Sequence, residues 1–286
     1  MRLLCLLFPV MLWGQFEYDR TVPLDARQEP LAERPAARMW SGSFNGGKVN
    51  YVLVEPKLRG RMARARHPGV VFQHGGGQSM SNYISEALLL AELGVTSLLV
   101  DAAGATSRES LVDLVIAERR AVDLLLRQVG VDVKRIGYVG HSYGGMAGGV
   151  LAGVEPRIAA FVLLGAAPSL ARHIRESPDA YWAPLKALPD YERVLTGIAE
   201  VDADTFLPRT KAAMFVQCAR FDTPDNVRAC PEVHRLAGGP KALRWYEDDH
   251  NFTSHEAMRD RFYWLAEQLK LGGAAAVLRR WVKRPR

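Results

Sequence analysis

Three side chains far apart in the chain have the types and the order that nucleophilic acyl chemistry requires. Ser142 stands in GHSYG between Gly140 and Gly144, Asp222 follows the apolar run AAMFVQCARF, and His250 follows ALRWYEDD. A serine hydroxyl is a poor nucleophile at neutral pH and needs a base, which in turn needs an acid to hold its tautomer and orientation. The order serine, acid, histidine, each directly after a strand-like run, predicts that the three meet at one edge of a sheet. The G-x-S-x-G spacing alone is weak, because serine and glycine are common. The strand RIGYV before it and the glycine- and alanine-rich helix start after it make it specific.

Acyl transfer also needs donors for the oxyanion that forms on the carbonyl. The amide of Tyr143 is one expected donor. The other is expected from VVFQHGGGQS, where His74 to Gly77 follow a strand and glycines let the backbone turn its N–H groups toward a ligand; Gly76 and Gly77 are the candidates, with Gln78 beside them. A flexible turn is the plain alternative, and a phosphate cradle has no G-x-x-x-x-G-K-[ST] to support it. Among rival acids, Asp225 is expected to open the next helix, and Asp248 and Asp249 to point away from His250. Among rival bases, His255 falls in the first turn of a helix, His173 in an inserted segment, His234 on a helix and His67 in a loop before Pro68.

These residues need a scaffold that brings strand ends together. The short runs VNYVLVE, GVVFQH, VTSLLVD, RIGYVGH, IAAFVLLG, AAMFVQCA and ALRWYED read as strands, and several are apolar at nearly every position, as in strands buried on both faces of a mainly parallel sheet. Helices alternate with them. Ser107 caps one whose apolar face runs from Leu111 to Val129, and Thr253 with Glu256 forms a capping box for a last helix to about Leu269. The predicted fold class is α/β, a mainly parallel central sheet with helices on both faces. More than forty residues, about 169–210, separate two strands where a plain crossover would be far shorter, so a small helical cap is expected there.

The remaining organisation follows from composition. Residues 1–14 have Arg2, an apolar run and then polar sequence, too short to span a bilayer, and are expected to be a signal peptide directing export to the periplasm or outside. Residues 15–38, rich in Pro and Arg, are expected to wrap the surface, 39–270 to form the α/β domain, and 271–286 a basic tail. The formal charge of +6 resides in Arg2 and in RRWVKRPR at the end, leaving a balanced body and no basic face for nucleic acid. Cys218 and Cys230 form either a disulfide or two buried thiols. No metal-ligand spacing stands out, and no cofactor is expected.

HGGG, GHSYG, the Asp222 loop and the His250 loop together resemble the α/β-hydrolase fold, in a layout similar to the dienelactone hydrolase and acetyl xylan esterase-like branch. The resemblance covers roughly Met39 to Leu269 and implies a serine hydrolase cleaving small esters. Dienelactone hydrolases use a cysteine nucleophile, and this chain has Ser142 in its place. The alternatives are an exopeptidase or amidase of the same fold, whose relatives often carry a further large domain upstream, and a non-catalytic binding protein on that fold.

Overall fold

The computed structural model describes residues 14–102 and 104–282. Most of the expected signal segment, Ala103 and the last four residues lie outside the described part. Among the described residues, nine strands form one sheet in the order β1-β2-β3-β5-β4-β6-β7-β8-β9. β1 (Arg27–Glu33), β2 (Ala37–Phe44) and β3 (Val49–Pro56) run antiparallel to their neighbours, and β3 joins β5 (Thr96–Asp101) the same way. β4 (His67–Gln73), β5, β6 (Val131–His141), β7 (Ile158–Leu164), β8 (Ala213–Ala219) and β9 (Lys241–Tyr246) are parallel.

The apolar runs divide between two faces because successive side chains on a strand point opposite ways. Val71, Tyr138, Phe161, Leu163 and Val216 lie in one core cluster, with residues of α2 (Arg108–Leu126) and α3 (Tyr143–Val154). Val70, Phe72, Val139, Val162 and Phe215 lie in the other, with residues of α1 (Ile84–Ala91), α7 (His255–Gln268) and α8 (Ala274–Val282). Both faces are covered, as continuous apolar strands require.

The register lines up the carboxyl ends that matter. Gln73 of β4 pairs with Gly140, His141 with Leu164, Leu164 with Gln217, and Ala219 with Tyr246. The loops carrying His74, Ser142, Asp222 and His250 therefore leave the sheet on one side. The segment after β7 folds as α4 (Leu170–Glu176), α5 (Tyr191–Ala199) and short helical turns, with α6 (Pro224–Leu236) following β8. Asp202 closes the base of this cap, accepting from the Ser169 hydroxyl at 2.7 Å and from the Leu170 and Ala171 amides at 2.7 and 3.0 Å.

Several expectations need correction. The N-terminal stretch is not merely a wrapping: Phe16 and Leu24 are core residues and Arg27–Glu33 adds an edge strand. The segment after Gly273 is not a free tail, because its alanines favour helix and Val277 and Leu278 share a buried face in α8. α2 ends at Leu126, leaving Val129 exposed. The cap of α7 is Ser254, whose hydroxyl oxygen accepts from the Ala257 amide, rather than Thr253. His67 opens β4 instead of lying in a loop. Cys218 and Cys230 are joined by a disulfide.

Candidate active site

β6 ends at His141 and α3 begins at Tyr143, so Ser142 alone makes the turn, with φ 50° and ψ −113°. A serine at positive φ is strained and persists only where its surroundings hold it. Here the Ser142 amide donates to the Leu164 carbonyl at 2.7 Å, and the Ser142 carbonyl accepts the first helical bond, from Met146, at 2.9 Å. The flanking glycines are required by close approach. A Cβ on Gly140 would sit 2.4 Å from the Gly144 oxygen, and one on Gly144 would sit 2.5 Å from the Gln73 oxygen.

The geometry brings the three predicted residues together. His250 Nε2 lies 2.8 Å from Ser142 Oγ, and His250 Nδ1 lies 2.7 Å from Asp222 Oδ2. The Asp222 carboxylate is 2 % exposed, and its other oxygen accepts from the Thr223 amide at 2.7 Å and the Asn226 side-chain amide at 2.9 Å. Burial raises the Asp222 pKa, but the hydrogen bond and charge of His250, with Asn226 and Thr223, outweigh it and hold the carboxyl below its usual range. The acid is ionised wherever the imidazole needs orienting.

The rival groups fall elsewhere. Asp225 sits in the first turn of α6 and faces His173 of the cap, Nδ1 to Oδ2 3.3 Å. Asp248 holds its own loop, accepting from the Asp249 and Ser254 amides at 3.1 and 2.9 Å, and Asp249 accepts from the Asn251 amide at 2.8 Å. His255 opens α7 and His234 lies in the last turn of α6.

The HGGG stretch passes beside Ser142: a Cβ on Gly75 would lie 3.0 Å from Ser142 Cβ and 2.9 Å from His141 Nδ1. Gly76 and Gly77 are exposed at the surface of this loop, with φ 70° at Gly77. His74 itself is buried and faces Asp101 through Nε2 at 2.8 Å. On the other side, Tyr143 begins α3, where the first amides have no acceptor within the helix and the dipole favours negative charge. The Ala105 amide donates to the Tyr143 hydroxyl, tying the loop after β5 to this helix.

Three contributors were not singled out in sequence, His141, Asn226 and Asn251, and Gln78 was named only for its main-chain amide, not for its side chain. Asn226 follows Asp222 by one helical turn, and His141 stands inside GHSYG; the contacts of Gln78 and Asn251 leave no local signal. Among the described residues there is no group of three or more His, Cys, Asp or Glu that could hold a metal ion. Nor is any described helix long and apolar enough to cross a membrane.

Comparison with known proteins agrees with this architecture. An acetyl xylan esterase from Paenibacillus sp. R4 superposes with a TM-score of 0.75 at 17 % identity, covering 91 % of this chain and 93 % of that one. A dienelactone hydrolase from Anabaena variabilis gives 0.56 at 20 % identity, covering 86 % and 97 %. An acylaminoacyl peptidase from Pyrococcus horikoshii gives 0.61 at 14 % identity, covering 86 % of this chain and 41 % of that one. A search of curated proteins finds no match. The profile described as the alpha/beta hydrolase family matches residues 70–282, a stretch that spans the elbow, the acid loop and the histidine loop, and the chain belongs to that family.

Proposed function

We propose that this protein is an exported serine hydrolase that cleaves small carboxylic esters through a covalent acyl-enzyme. The reading is carried by the unbroken line from Ser142 Oγ through the His250 ring to Asp222, 2.8 and 2.7 Å long, at a serine held at positive φ. In this reading Ser142 Oγ attacks the ester carbonyl as His250 Nε2 takes its proton, and Asp222 stabilises the imidazolium that results. The tetrahedral oxyanion lies against the Tyr143 amide and an amide of Gly76 or Gly77. Collapse expels the alcohol, which leaves with the proton from His250. Water, deprotonated by the same imidazole, then attacks the acyl-serine, and Ser142 recovers its proton as the carboxylic acid departs.

Export is supported by Arg2 followed by the short apolar run, and by the Cys218–Cys230 bridge, which suits an oxidising compartment. An ester substrate is favoured by the fold shared with an acetyl xylan esterase over nearly the whole of both chains. An amidase or exopeptidase is the second reading, favoured by the fold shared with an acylaminoacyl peptidase. Turnover of short p-nitrophenyl esters against a panel of aminoacyl p-nitroanilides, by wild type and Ser142→Ala, separates them. Ester turnover abolished in Ser142→Ala supports the proposal. Preferential amide cleavage promotes the second reading, and unchanged turnover in the variant rejects both.

A further inference from the structure

His141, immediately before the nucleophile, is buried at 3 % exposure and takes no part in the proton transfers above. Its Nε2 lies 2.6 Å from the main-chain oxygen of His250, and its Nδ1 lies 2.8 Å from Gln78 Oε1. Gln78 in turn contacts the Gly75 amide at 3.2 Å and the Asn251 side chain at 3.3 Å. One imidazole, covalently adjacent to Ser142, thus stands between the glycine loop and the histidine loop that face it. The His141 and His250 rings are 5.0 Å apart, and Phe252 packs edge-on to His141 at 6.0 Å.

We propose that His141 is a positioning residue, donating its Nε2–H to the His250 carbonyl and so holding the base's main chain where its imidazole reaches Ser142. The inference rests on the serine-hydrolase reading. His250 is joined to the Ser142 corner twice, by its own side chain at 2.8 Å and by His141 at 2.6 Å, and the two contacts close a ring through the nucleophile. Without the second tie, a one-third-exposed imidazole is held only through its own ring, by Asp222, Asn226 and Ser142, with nothing fixing its main chain to the Ser142 corner. Burial, with the charge of His250 beside it, lowers the His141 pKa to about 3, so the ring is neutral and carries a single N–H. The shorter contact, to the His250 carbonyl, takes that proton, and the unprotonated Nδ1 faces Gln78 Oε1, which accepts from the Gly75 amide. A neutral His141 adds no repulsion to the positive charge that forms on His250 during acyl transfer.

The test compares His141→Gln, whose amide nitrogen can take the place of Nε2, with His141→Leu, which keeps an apolar body of similar size, and His141→Asn, which reaches only the place of Nδ1. Active sites are counted by fluorophosphonate titration so that unfolded protein does not enter the rates. A displacement of about 1 Å in a catalytic group costs roughly 10²-fold. The expected result is a fall of about that size in kcat for p-nitrophenyl acetate in the Leu and Asn variants, with KM within about threefold, and recovery to within about tenfold of wild type in His141→Gln. Should His141→Leu not fold, the Gln and Asn pair carries the comparison. An Asn variant as fast per active site as wild type, or a Gln variant as slow as Asn, would overturn the positioning role. Wild type that takes no label at Ser142 would overturn the hydrolase reading and this role with it, whereas label at Ser142 with unchanged variants would overturn the role alone.

Discussion

Two acids flank the elbow, and burial acts on both in the same direction with opposite outcomes. Asp222, in the loop after β8, has a side chain 2 % exposed; Glu118, on α2 against β6, is fully buried. Asp222 is nevertheless held below its usual 3.8, while Glu118 is pushed up to about 8. The difference lies in the donors. Asp222 accepts from His250, Asn226 and Thr223. Glu118 Oε1 faces only the Tyr138 hydroxyl at 2.7 Å, and that hydroxyl is also 2.7 Å from the Gly144 carbonyl. One hydroxyl proton cannot serve both oxygens, so a protonated Glu118 donates to Tyr138 and Tyr138 donates to Gly144. Its second oxygen has no partner to stabilise a charge. N–H groups aimed at a buried carboxyl decide whether it becomes an orienting anion or a neutral strut under the helix that follows Ser142.

The most severe way to break this contrast is to neutralise each acid in turn. Asp222→Asn is expected to lower kcat by about 10⁴-fold, as loss of the orienting charge does in this kind of site. Glu118→Gln, which keeps a neutral donor, should stay within about threefold of wild type, and initial rates that rank the other way would refute the assignment. The next effect is on stability. A folded pKa raised from 4.5 to about 8 means the unfolded chain releases the Glu118 proton first. Its contribution therefore declines as pH rises from about 4.5 to about 8, by at most about 1.4 kcal/mol per pH unit. Urea unfolding at pH 5, 6.5 and 8 should show this slope in wild type and its loss in Glu118→Gln.

A covalent brace separates the two regions further. The Cys218–Cys230 bridge closes the short segment that carries Asp222, 12 residues apart. Replacing both cysteines by alanine should cost about 2–3 kcal/mol of stability, read by urea or thermal unfolding. The mildest change is Asn226→Ala, which removes one donor from Asp222 and should reduce kcat by about three- to tenfold. Asp222 contributes stability above its usual pKa that is lost as pH falls through its lower folded value. In Asn226→Ala that acid loss should move to higher pH; an unmoved acid limb of unfolding would show that Asn226 does not tune the carboxylate.

Ser142, Asp222 and His250, the proposed nucleophile, acid and base, were legible because each follows a strand, and strands β4 to β9 place their carboxyl ends on one edge. Other parts left weaker signals. β1 is exposed along nearly its whole length and contains Pro30, so it lacks the alternation of a half-buried strand. α8 mixes alanine with arginine, and its burial comes from packing against α7 and α1 rather than from composition. Ser254 and Thr253 are equivalent as caps in sequence, and only backbone geometry separates them. Glu118 and His141 were unreadable for a different reason. Glu118 meets Tyr138, and His141 meets Gln78 and His250, across 20, 63 and 109 positions. No local periodicity encodes such meetings.

The central claim is that Ser142 is the activated nucleophile, and it is tested most directly by locating a fluorophosphonate adduct by peptide mass spectrometry. The expected result is a single stoichiometric adduct on the peptide containing GHSYG in wild type, formed far more slowly in His250→Ala and absent in Ser142→Ala. An adduct on a different serine, or equal labelling after Ser142 is removed, would contradict the account.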